Sequence, residues 1–331
     1  MPEAHTLRDE SALPSDVHGT AITVGSFDGV HRGHLDILTR LVRHAHHRKL
    51  ASLLVTFDPH PLEVVNPAAA PPLLTVGNEK LEVLAESGID YVAVLPFTPA
   101  LQRLTAEEFV DQVLRDRFRM RALLMGHDHG FGRNRSGDVS TMQALAVTRG
   151  FEVEVIPAVA TPTGRLISST AIRRAVAGGD LDHAAEGLGR PYAISGTVGA
   201  GDGRGRALGF RTLNLTLPHP RKLLPPAGVY AVRAQTPRGA FGGMMNLGPR
   251  PTFGDLALSV EVHLFDADAD FYGLPVRVDV IRWLRETREF DGPAALVSQL
   301  GEDERQARAA LTLPLPPATL QGSPDQNPEG P

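Results

Sequence analysis

The sequence predicts two domains of different class: an α/β domain over residues 19–187 and a mainly antiparallel β-barrel domain over residues 188–311 that ends in a helix. In the first half, apolar runs of strand length alternate with helical stretches, an order that favours a parallel sheet covered by helices. From about residue 190 onward, short alternating or β-branched runs indicate an antiparallel barrel or sandwich. A chain of 331 residues is long enough for each half to bury its own core.

The first half contains a series of candidate strands that share an apolar, strand-length pattern. They lie at 21–24, 51–57, 91–95, 122–125 and 151–156. Apolar residues at helical spacing follow the first strand from Leu35 to Ala45, and a capping box of Thr105 and Glu108 begins a helix that reaches Phe118. The loops after these strands therefore meet at one edge of the sheet, where open α/β sheets bind ligands.

The second half contains short strand-like runs before its terminal helix. They lie at 193–198, 213–217, 229–235, 258–265 and 276–283, and the helix lies at 293–311. Residues 1–18 are polar without periodicity, and residues 312–331 are dense in Pro, Gly, Asn and Gln. We expect both ends to be flexible tails outside the fold.

Composition excludes several classes of function. The chain has no cysteine, so disulfides, zinc–thiolate sites, iron–sulfur clusters and cysteine nucleophiles are excluded. A net charge of -5 gives no basic stripe for a nucleic-acid partner. No apolar segment reaches the roughly 18 residues that span a bilayer, and the N-terminus lacks a signal-peptide pattern. We therefore expect a cytoplasmic protein, monomeric or weakly homo-oligomeric, without nucleic-acid or membrane partners.

The most informative motif runs from Gly25 to His34, a glycine-broken turn from the first strand into the following helix. The first turn of a helix offers unpaired N–H groups and a positive dipole end, which stabilise phosphate oxygens. His31 and His34 lie three residues apart, so their imidazole N–H groups can donate to the same phosphates. The alternative is an ordinary turn with two surface histidines.

Three further segments follow strands or begin helices in the first half. His60 lies between two prolines, where it can face phosphates or cap the turn. His127 and His129 have a metal-like spacing without an obvious third ligand, so we prefer a backbone-mediated ligand contact with Asp128 reading a base or ribose. Residues 168–174 place hydroxyls and arginines at a helix start, which serves as a helix cap or as a pyrophosphate clamp.

Few lysines are available to bind phosphate groups. The chain has only Lys49, Lys80 and Lys222, and none lies in a P-loop motif. Arginine, histidine, backbone N–H groups or a metal ion must therefore bind the phosphates.

The second half carries a glycine-rich loop at 199–210, which can fold over phosphates or form a long hairpin turn. Thr212 and Asn214 follow it on one face of a strand, and two oxygen donors beside such a loop suit Mg²⁺. Glu261 alternates with apolar neighbours, so it faces either solvent or a polar site, where its carboxylate can take a proton from a hydroxyl.

Seven motifs occur in an order that resembles the bifunctional riboflavin kinase/FAD synthetase (FMN adenylyltransferase) family of prokaryotes, over about residues 20–310. In chain order they lie at Gly25–His34, Phe57–Pro61, Gly126–Gly132, Ser168–Arg173, Leu188–Tyr192, Asn246–Thr252 and the strand of Glu261. The resemblance implies a Rossmann-like nucleotidyltransferase domain followed by a riboflavin kinase barrel. It also implies the substrates riboflavin, FMN and ATP, the product FAD, and Mg²⁺ as the cofactor.

The same resemblance implies roles for individual residues. His31 and His34 would act on the transferring phosphates, and Glu261 would be the general base of the kinase. Contacts to ATP or phosphate in the adenylyltransferase are expected at Gly25, Phe27, Asp28, Gly29, Ser168, Thr170 and Arg173. Contacts to flavin or nucleotide are expected at His60, Asp128 and Phe131. In the kinase, ATP or phosphate contacts are expected at Gly203, Arg206, Gly209, Thr212 and Asn214, the last two also binding Mg²⁺.

The sequence departs from the family pattern at two places. Arg211 replaces the proline before Thr212, and His129 and Gly130 replace an aromatic residue and a basic or polar residue. The first departure leaves open a monofunctional FMN adenylyltransferase with a degenerate kinase barrel. A non-catalytic flavin or nucleotide sensor is a further alternative, although it would not require the base Glu261. An aminoacyl-tRNA synthetase shares the H-x-G-H pattern, but the scarcity of lysine argues against it.

Overall fold

A computed structural model describes residues 4–8, 11–127, 130–133, 136–161, 164–200, 209–249 and 258–312. The first half forms a six-stranded parallel sheet in the order β1-β4-β3-β2-β5-β6. Its strands are β1 His5–Arg8, β2 Thr20–Val24, β3 Ala51–Asp58, β4 Tyr91–Pro96, β5 Met120–Gly126 and β6 Glu152–Ile156. Strand β2 is buried along its whole length, because helices cover both faces of the sheet beside it.

Helices connect these strands. They are α1 Arg32–Arg48, α2 Pro61–Val65, α3 Glu79–Ala85, α4 Pro99–Arg103, α5 Ala106–Glu108, α6 Val139–Arg149, α7 Ser169–Ala177 and α8 Leu181–Leu188. Thr105 and Glu108 form the expected capping box, but α5 continues as a π-helical segment, Phe109–Arg117. The predicted α/β architecture is confirmed.

The N-terminal segment differs from the prediction of a flexible tail over residues 1–18. His5–Arg8 pair in parallel with residues 91–94 of β4, and Leu13 is buried. Arg119 donates from Nη1 to the Pro14 carbonyl at 2.9 Å. An edge strand needs only backbone hydrogen bonds, so its exposed polar side chains leave no apolar periodicity in the sequence.

The second half forms a closed six-stranded barrel in the order β10-β11-β8-β7-β12-β9, which confirms the predicted barrel. Its strands are β7 Tyr192–Gly199, β8 Thr212–Thr216, β9 Gly228–Thr236, β10 Gly239–Pro249, β11 Leu258–Leu264 and β12 Pro275–Arg285. The predicted strands do not include β10, because its glycines have a low strand propensity. At Gly243 a Cβ would lie 2.5 Å from the His263 carbonyl oxygen, so the close approach of β11 requires glycine there.

The terminal helix, α9 Pro293–Thr312, packs on the outside of the barrel through Ala307 and Ala310. It continues one residue into the predicted C-terminal tail, and residues 313–331 lie outside the described residues. The predicted boundary between residues 187 and 188 stays a prediction. Helices α7 and α8 share the hydrophobic core of the barrel, so the two domains are in close contact.

Candidate functional sites

The loop between β2 and α1 has a conformation that side chains rarely adopt. Phe27 has φ of 49° and Val30 has φ of 39°, and positive φ in a β-branched residue such as valine is strongly disfavoured. Gly29, at φ of 83°, is the one residue of the three for which this region is easy. Such strain persists only where surrounding contacts hold it, and it is concentrated at functional sites.

His31 and His34 cap helix α1 reciprocally. The His34 backbone N–H donates to Nδ1 of His31 at 3.2 Å, and the His31 N–H donates to Nδ1 of His34 at 3.3 Å. Their rings stack with centroids 3.6 Å apart, and the ring of Phe27 stacks on that of His34 with centroids 4.5 Å apart. Because each Nδ1 accepts a hydrogen bond, the proton of each neutral ring is on Nε2, which makes Nε2 the donor.

Burial determines the charge of His31. Burial has the largest effect on the pKa of His31 and lowers it to about 4. The charge of Asp28 opposes this shift, and the charges of Arg190 and Arg173 add to it. His31 is therefore neutral at pH 7 and acts as a hydrogen-bond donor rather than as a cation. A neutral donor held by the backbone suits charge that develops only during a reaction.

Asp28 is buried and accepts hydrogen bonds through both carboxylate oxygens. Leu74 N–H lies 3.0 Å from Oδ2, Thr75 N–H lies 2.9 Å from Oδ1, and Arg173 Nη2 lies 2.8 Å from Oδ2. The Thr75 hydroxyl adds a bond to Oδ1 at 3.1 Å. These contacts show that Asp28 holds the loop in place. Its expected contact with phosphate stays a prediction.

The start of α7 lies against the same loop. Ser168 caps the helix by accepting from Ala171 N–H at 3.2 Å, and the Ser169 hydroxyl donates to the Asp28 carbonyl at 2.9 Å. Thr170 is exposed, and Arg173 also donates from Nε to the Pro72 carbonyl at 2.9 Å. The structure thus brings the predicted hydroxyl–arginine segment together with the loop between β2 and α1, residues 25–31, which is the histidine loop. The cap and the clamp hypotheses are both compatible with this geometry.

A cleft of about 140 Å³ opens beside the loop at the carboxyl ends of β2 and β3. Its lining residues include Ser26, Asp28, Asp58, His60, Lys80 and His219. His60 caps α2 by accepting from Leu62 N–H at 3.2 Å, and burial lowers its pKa. His60 therefore caps its turn and also lines the cleft.

Lys80 was not among the predicted site residues. Its ammonium donates to the Thr56 hydroxyl at 3.0 Å and to the Ser26 carbonyl at 3.2 Å, and burial lowers its pKa. The sequence shows only that lysines are few, and Lys80, which lies on α3, is far in sequence from the Gly25–His34 motif. Only the fold brings it under the cleft.

The remaining predicted flavin contacts divide into two cases. Phe131 is buried in the core of the sheet domain, with its ring 5.4 Å from that of Phe109. This position gives Phe131 a packing role, and its expected ligand contact stays a prediction. Asp128 lies outside the described residues.

In the barrel, strand register places Glu261 between two amides. Glu261 is directly opposite Asn214 on β8 and Asn246 on β10, and directly paired residues project from the same face of a sheet. The alternate residues Val260 and Val262 belong to the apolar barrel core. The row Asn246–Glu261–Asn214 therefore lies on the outer face of the barrel, where Glu261 is half-buried. Asn246 begins the Asn246–Thr252 motif, but the sequence does not predict it as a site residue.

Thr212 lies next to this row, directly opposite His263. Nδ1 of His263 is 2.8 Å from the Arg211 carbonyl oxygen. This contact links the start of β8 to β11, although Arg211 replaces the family's proline. Beside it, Arg211, His263 and Phe265 line an open cleft of about 510 Å³, and exposed Gly209 lies at its rim. The predicted contacts Gly203 and Arg206 lie outside the described residues.

The oxygen donors of this face fit a divalent cation. Thr212 and Asn214 offer a hydroxyl and an amide oxygen from one face of β8, with the Glu261 carboxylate opposite Asn214. Among the described residues no group of three or more His, Asp or Glu side chains is arranged to hold a metal. A site of few protein ligands is typical of Mg²⁺, which keeps waters and binds substrate phosphates.

Comparisons with known proteins agree with this division into two sites. A family model described as FAD synthetase matches residues 13–171, and one described as riboflavin kinase matches residues 188–311. The chain is 38% identical over 303 residues to a bifunctional riboflavin kinase/FMN adenylyltransferase of Escherichia coli K12, covering 90% of this chain and 95% of that one. The corresponding protein of Pseudomonas fluorescens is 38% identical over 306 residues, covering 92% and 95%.

These matches define a flavin-nucleotide transferase with a kinase domain and an adenylyltransferase domain. The chain belongs to the family of bifunctional riboflavin kinase/FMN adenylyltransferases, as its motifs indicated.

A solved structure extends the agreement to the whole fold. A Streptococcus pneumoniae protein described as a macrolide-efflux protein superposes with a TM-score of 0.80 at 28% identity, covering 92% of this chain and 98% of that one. Within the part of this chain that the structure describes, no helix combines the length and the apolar character that crossing a membrane requires.

Proposed function

We propose that the chain makes FAD from riboflavin in two steps, each on its own domain. The barrel domain transfers the γ-phosphoryl group of ATP to the 5′-hydroxyl of riboflavin, which gives FMN. The sheet domain then joins FMN to the adenylyl group of a second ATP and releases pyrophosphate. The observation that carries this proposal is the presence of two distinct sites, a histidine pair capping α1 and a carboxylate between two amides on the barrel.

In adenylyl transfer, an oxygen of the FMN phosphate forms a bond to the α-phosphorus of ATP while the bond from that phosphorus to pyrophosphate breaks. Negative charge increases on the transferring oxygens and on the leaving group. The Nε2–H groups of His31 and His34 and the N-terminus of α1 can stabilise that charge without reorganising. The exposed hydroxyls of Ser168 and Thr170 and the side chain of Arg173 would hold the pyrophosphate. No covalent enzyme intermediate is needed, because orientation and electrostatics lower the barrier.

In phosphoryl transfer, the 5′-hydroxyl must lose its proton as it bonds to the γ-phosphorus. Glu261 is the proposed general base, and Asn214 and Asn246 on either side can orient its carboxylate and the hydroxyl. Thr212 and Asn214 would hold Mg²⁺, which neutralises charge on the ATP phosphates when bound.

The second candidate function is adenylyl transfer alone, with a degenerate kinase, and Arg211 is the observation that favours it. The intact pairing of Thr212 and Asn214 with β11 supports the bifunctional proposal instead, since both proposed ligands keep their register. A cytoplasmic location and a monomeric or weakly oligomeric state stay predictions from the sequence.

The proposal is tested by incubating the purified chain with ATP and Mg²⁺ plus either riboflavin or FMN, and separating the flavins by chromatography. We expect riboflavin to yield FMN and then FAD, and FMN to yield FAD. FAD from FMN alone, without any conversion of riboflavin, would establish the monofunctional alternative. No product from either substrate would contradict both.

A further inference from the structure

Arg190 connects the start of the barrel domain to the histidine loop of the sheet domain. It lies in the L-G-R-P-Y motif between α8 and β7, a motif to which the two reactions give no role. Its Nη2 donates to the Gly29 carbonyl at 2.6 Å and its Nη1 donates to the Val30 carbonyl at 2.9 Å. The two branches of one guanidinium thus bind consecutive peptide groups of the loop.

These carbonyls lie at the most constrained point of the loop. Val30 has the positive φ that its side chain disfavours, and the next residue is His31, whose backbone and ring both cap α1. Hydrogen bonds from a charged donor are stronger than neutral ones, and the planar fork of arginine fixes two acceptors at once. Burial lowers the pKa of Arg190 to about 10, so the guanidinium is still protonated at neutral pH.

A second contact from the barrel domain supports the other side of the loop. The buried ammonium of Lys222 donates to the Glu79 carboxylate and to the Leu74 carbonyl, each at 2.7 Å. The backbone around Lys222 also pairs in parallel with Leu73. The next peptide N–H groups, of Leu74 and Thr75, are those that donate to Asp28. The segment that orients Asp28 is therefore itself fixed by the barrel.

We propose that the kinase domain is part of the adenylyl-transfer site, with Arg190 as a positioning residue that holds the Gly29–Val30 peptides and thereby places His31 and His34. The inference rests on the proposed adenylyl transfer at the histidine pair. Arg190 touches no reacting atom, and it acts through the loop geometry alone. The adenylyltransferase residues 19–187 alone would lack both Arg190 and Lys222.

The test uses the 331-residue chain with Arg190→Ala and Arg190→Lys. Arg277→Ala is the matched control. Arg277 is also an arginine of the barrel that contacts the sheet domain, with Nη1 3.5 Å from Oε2 of Glu82, but among the described residues no hydrogen bond joins it to the loop. For each variant, kcat and KM are measured separately for FMN adenylylation and for riboflavin phosphorylation. The melting temperature is recorded alongside.

We expect Arg190→Ala to lower kcat/KM for adenylylation about 100-fold, since small displacements of catalytic groups have effects of this order. Arg190→Lys keeps the positive charge but loses the forked guanidinium, so its kcat/KM for adenylylation should lie between those of the alanine variant and the wild type. Riboflavin phosphorylation should stay at the wild-type rate in both variants, and both reactions should stay at that rate in Arg277→Ala.

Two results would overturn the inference while the wild type forms FAD normally. One is adenylylation within twofold of wild type in both Arg190 variants. The other is an equal loss of both reactions in Arg190→Lys, which would indicate a general folding defect. If Arg190→Ala does not fold, the two reaction rates of Arg190→Lys alone test the positioning role of Arg190. A wild-type chain that forms no FAD from FMN would overturn the proposed function, and this inference with it.

Discussion

The histidine loop and the Glu261 row are constructed by different physical means. The loop of the sheet domain has strained backbone torsions, and it is held by Asp28 on one side and Arg190 on the other. The row on the barrel is held by the hydrogen-bond ladder of three antiparallel strands, which fixes side chains by register alone.

This difference has a consequence for mutation. In the loop, residues that touch no substrate should affect activity, because the geometry depends on distant contacts. In the row, each side chain should contribute only its own interaction, since removing it leaves the ladder intact. The following variants sharpen or break that comparison.

The largest effect is expected for Glu261→Gln. The amide keeps the shape of the side chain but cannot accept the proton of the riboflavin hydroxyl. Riboflavin phosphorylation should fall about 100- to 10,000-fold, the range that general bases contribute, while FMN adenylylation stays unchanged. A steady-state assay of both reactions in one preparation measures this, and a loss below tenfold would contradict the role of Glu261.

His34→Asn should affect the other reaction. It removes the Nε2–H donor that we propose stabilises the transferring phosphates, and adenylylation should fall about 100- to 1,000-fold, as for loss of one preorganised donor. Riboflavin phosphorylation is the internal control for folding. Wild-type FAD formation from FMN in this variant would remove His34 from the site.

The buried pair of Lys222 and Glu79 should affect stability more than chemistry. Lys222→Met leaves the Glu79 carboxylate buried without its cation, which should lower the free energy of unfolding by about 3–5 kcal/mol. Lys222→Met with Glu79→Gln removes that charge and keeps an acceptor for the Ser195 N–H, 2.7 Å from Oε1 of Glu79. Denaturant unfolding should find the double variant more stable than the single one, and equal stabilities would contradict an uncompensated charge.

His31 should make the sheet domain sensitive to acid. Burial lowers its folded-state pKa from 6.5 to about 4, so the unfolded chain takes up a proton first as the pH falls. The stability is therefore complete above pH 6.5 and is lost between pH 6.5 and 4, by about 3 kcal/mol for a pKa difference of about 2.5.

His31→Asn provides the comparison, because asparagine also caps helices but does not titrate. Denaturant unfolding at pH 7 and pH 4.5 should find a smaller loss on acidification in this variant than in wild type. An equal loss in both proteins would contradict the depressed pKa of His31.

The smallest effect is expected for Arg211→Pro, which restores the family pattern. Arg211 is exposed and β8 already pairs with β11, so riboflavin phosphorylation should change less than about twofold, as for surface substitutions worth about 0.5 kcal/mol. A tenfold increase in the kinase rate would mean that the missing proline impairs this kinase.

Much of this architecture could be predicted from the sequence, because the strands carry regular apolar patterns. The exceptions have specific causes. Strand β1 gains its stability from backbone pairing at an exposed edge, and strand β10 is hidden by glycines that let neighbouring backbones approach. Neither property leaves an apolar period in the sequence.

The sites divide in the same way. The motifs predict His31, His34 and Glu261 as site residues, because the residue types and their spacing are visible in the sequence. Long-range contacts determine the roles of Asp28 and Lys80, since their partners lie on other elements of the fold. Asn246 comes to lie beside Glu261 only through the register of β10 with β11, which the sequence does not specify.

The most direct test of two separate sites is complementation between Glu261→Gln and His34→Asn, with riboflavin, ATP and Mg²⁺ as the only substrates. Each variant alone should form no more than traces of FAD, because one lacks the kinase base and the other an adenylyl-transfer donor. A mixture of the two should form FAD, since FMN released by the His34 variant is a substrate for the Glu261 variant. FAD at the wild-type rate from either variant alone, or none from the mixture, would contradict a two-site enzyme.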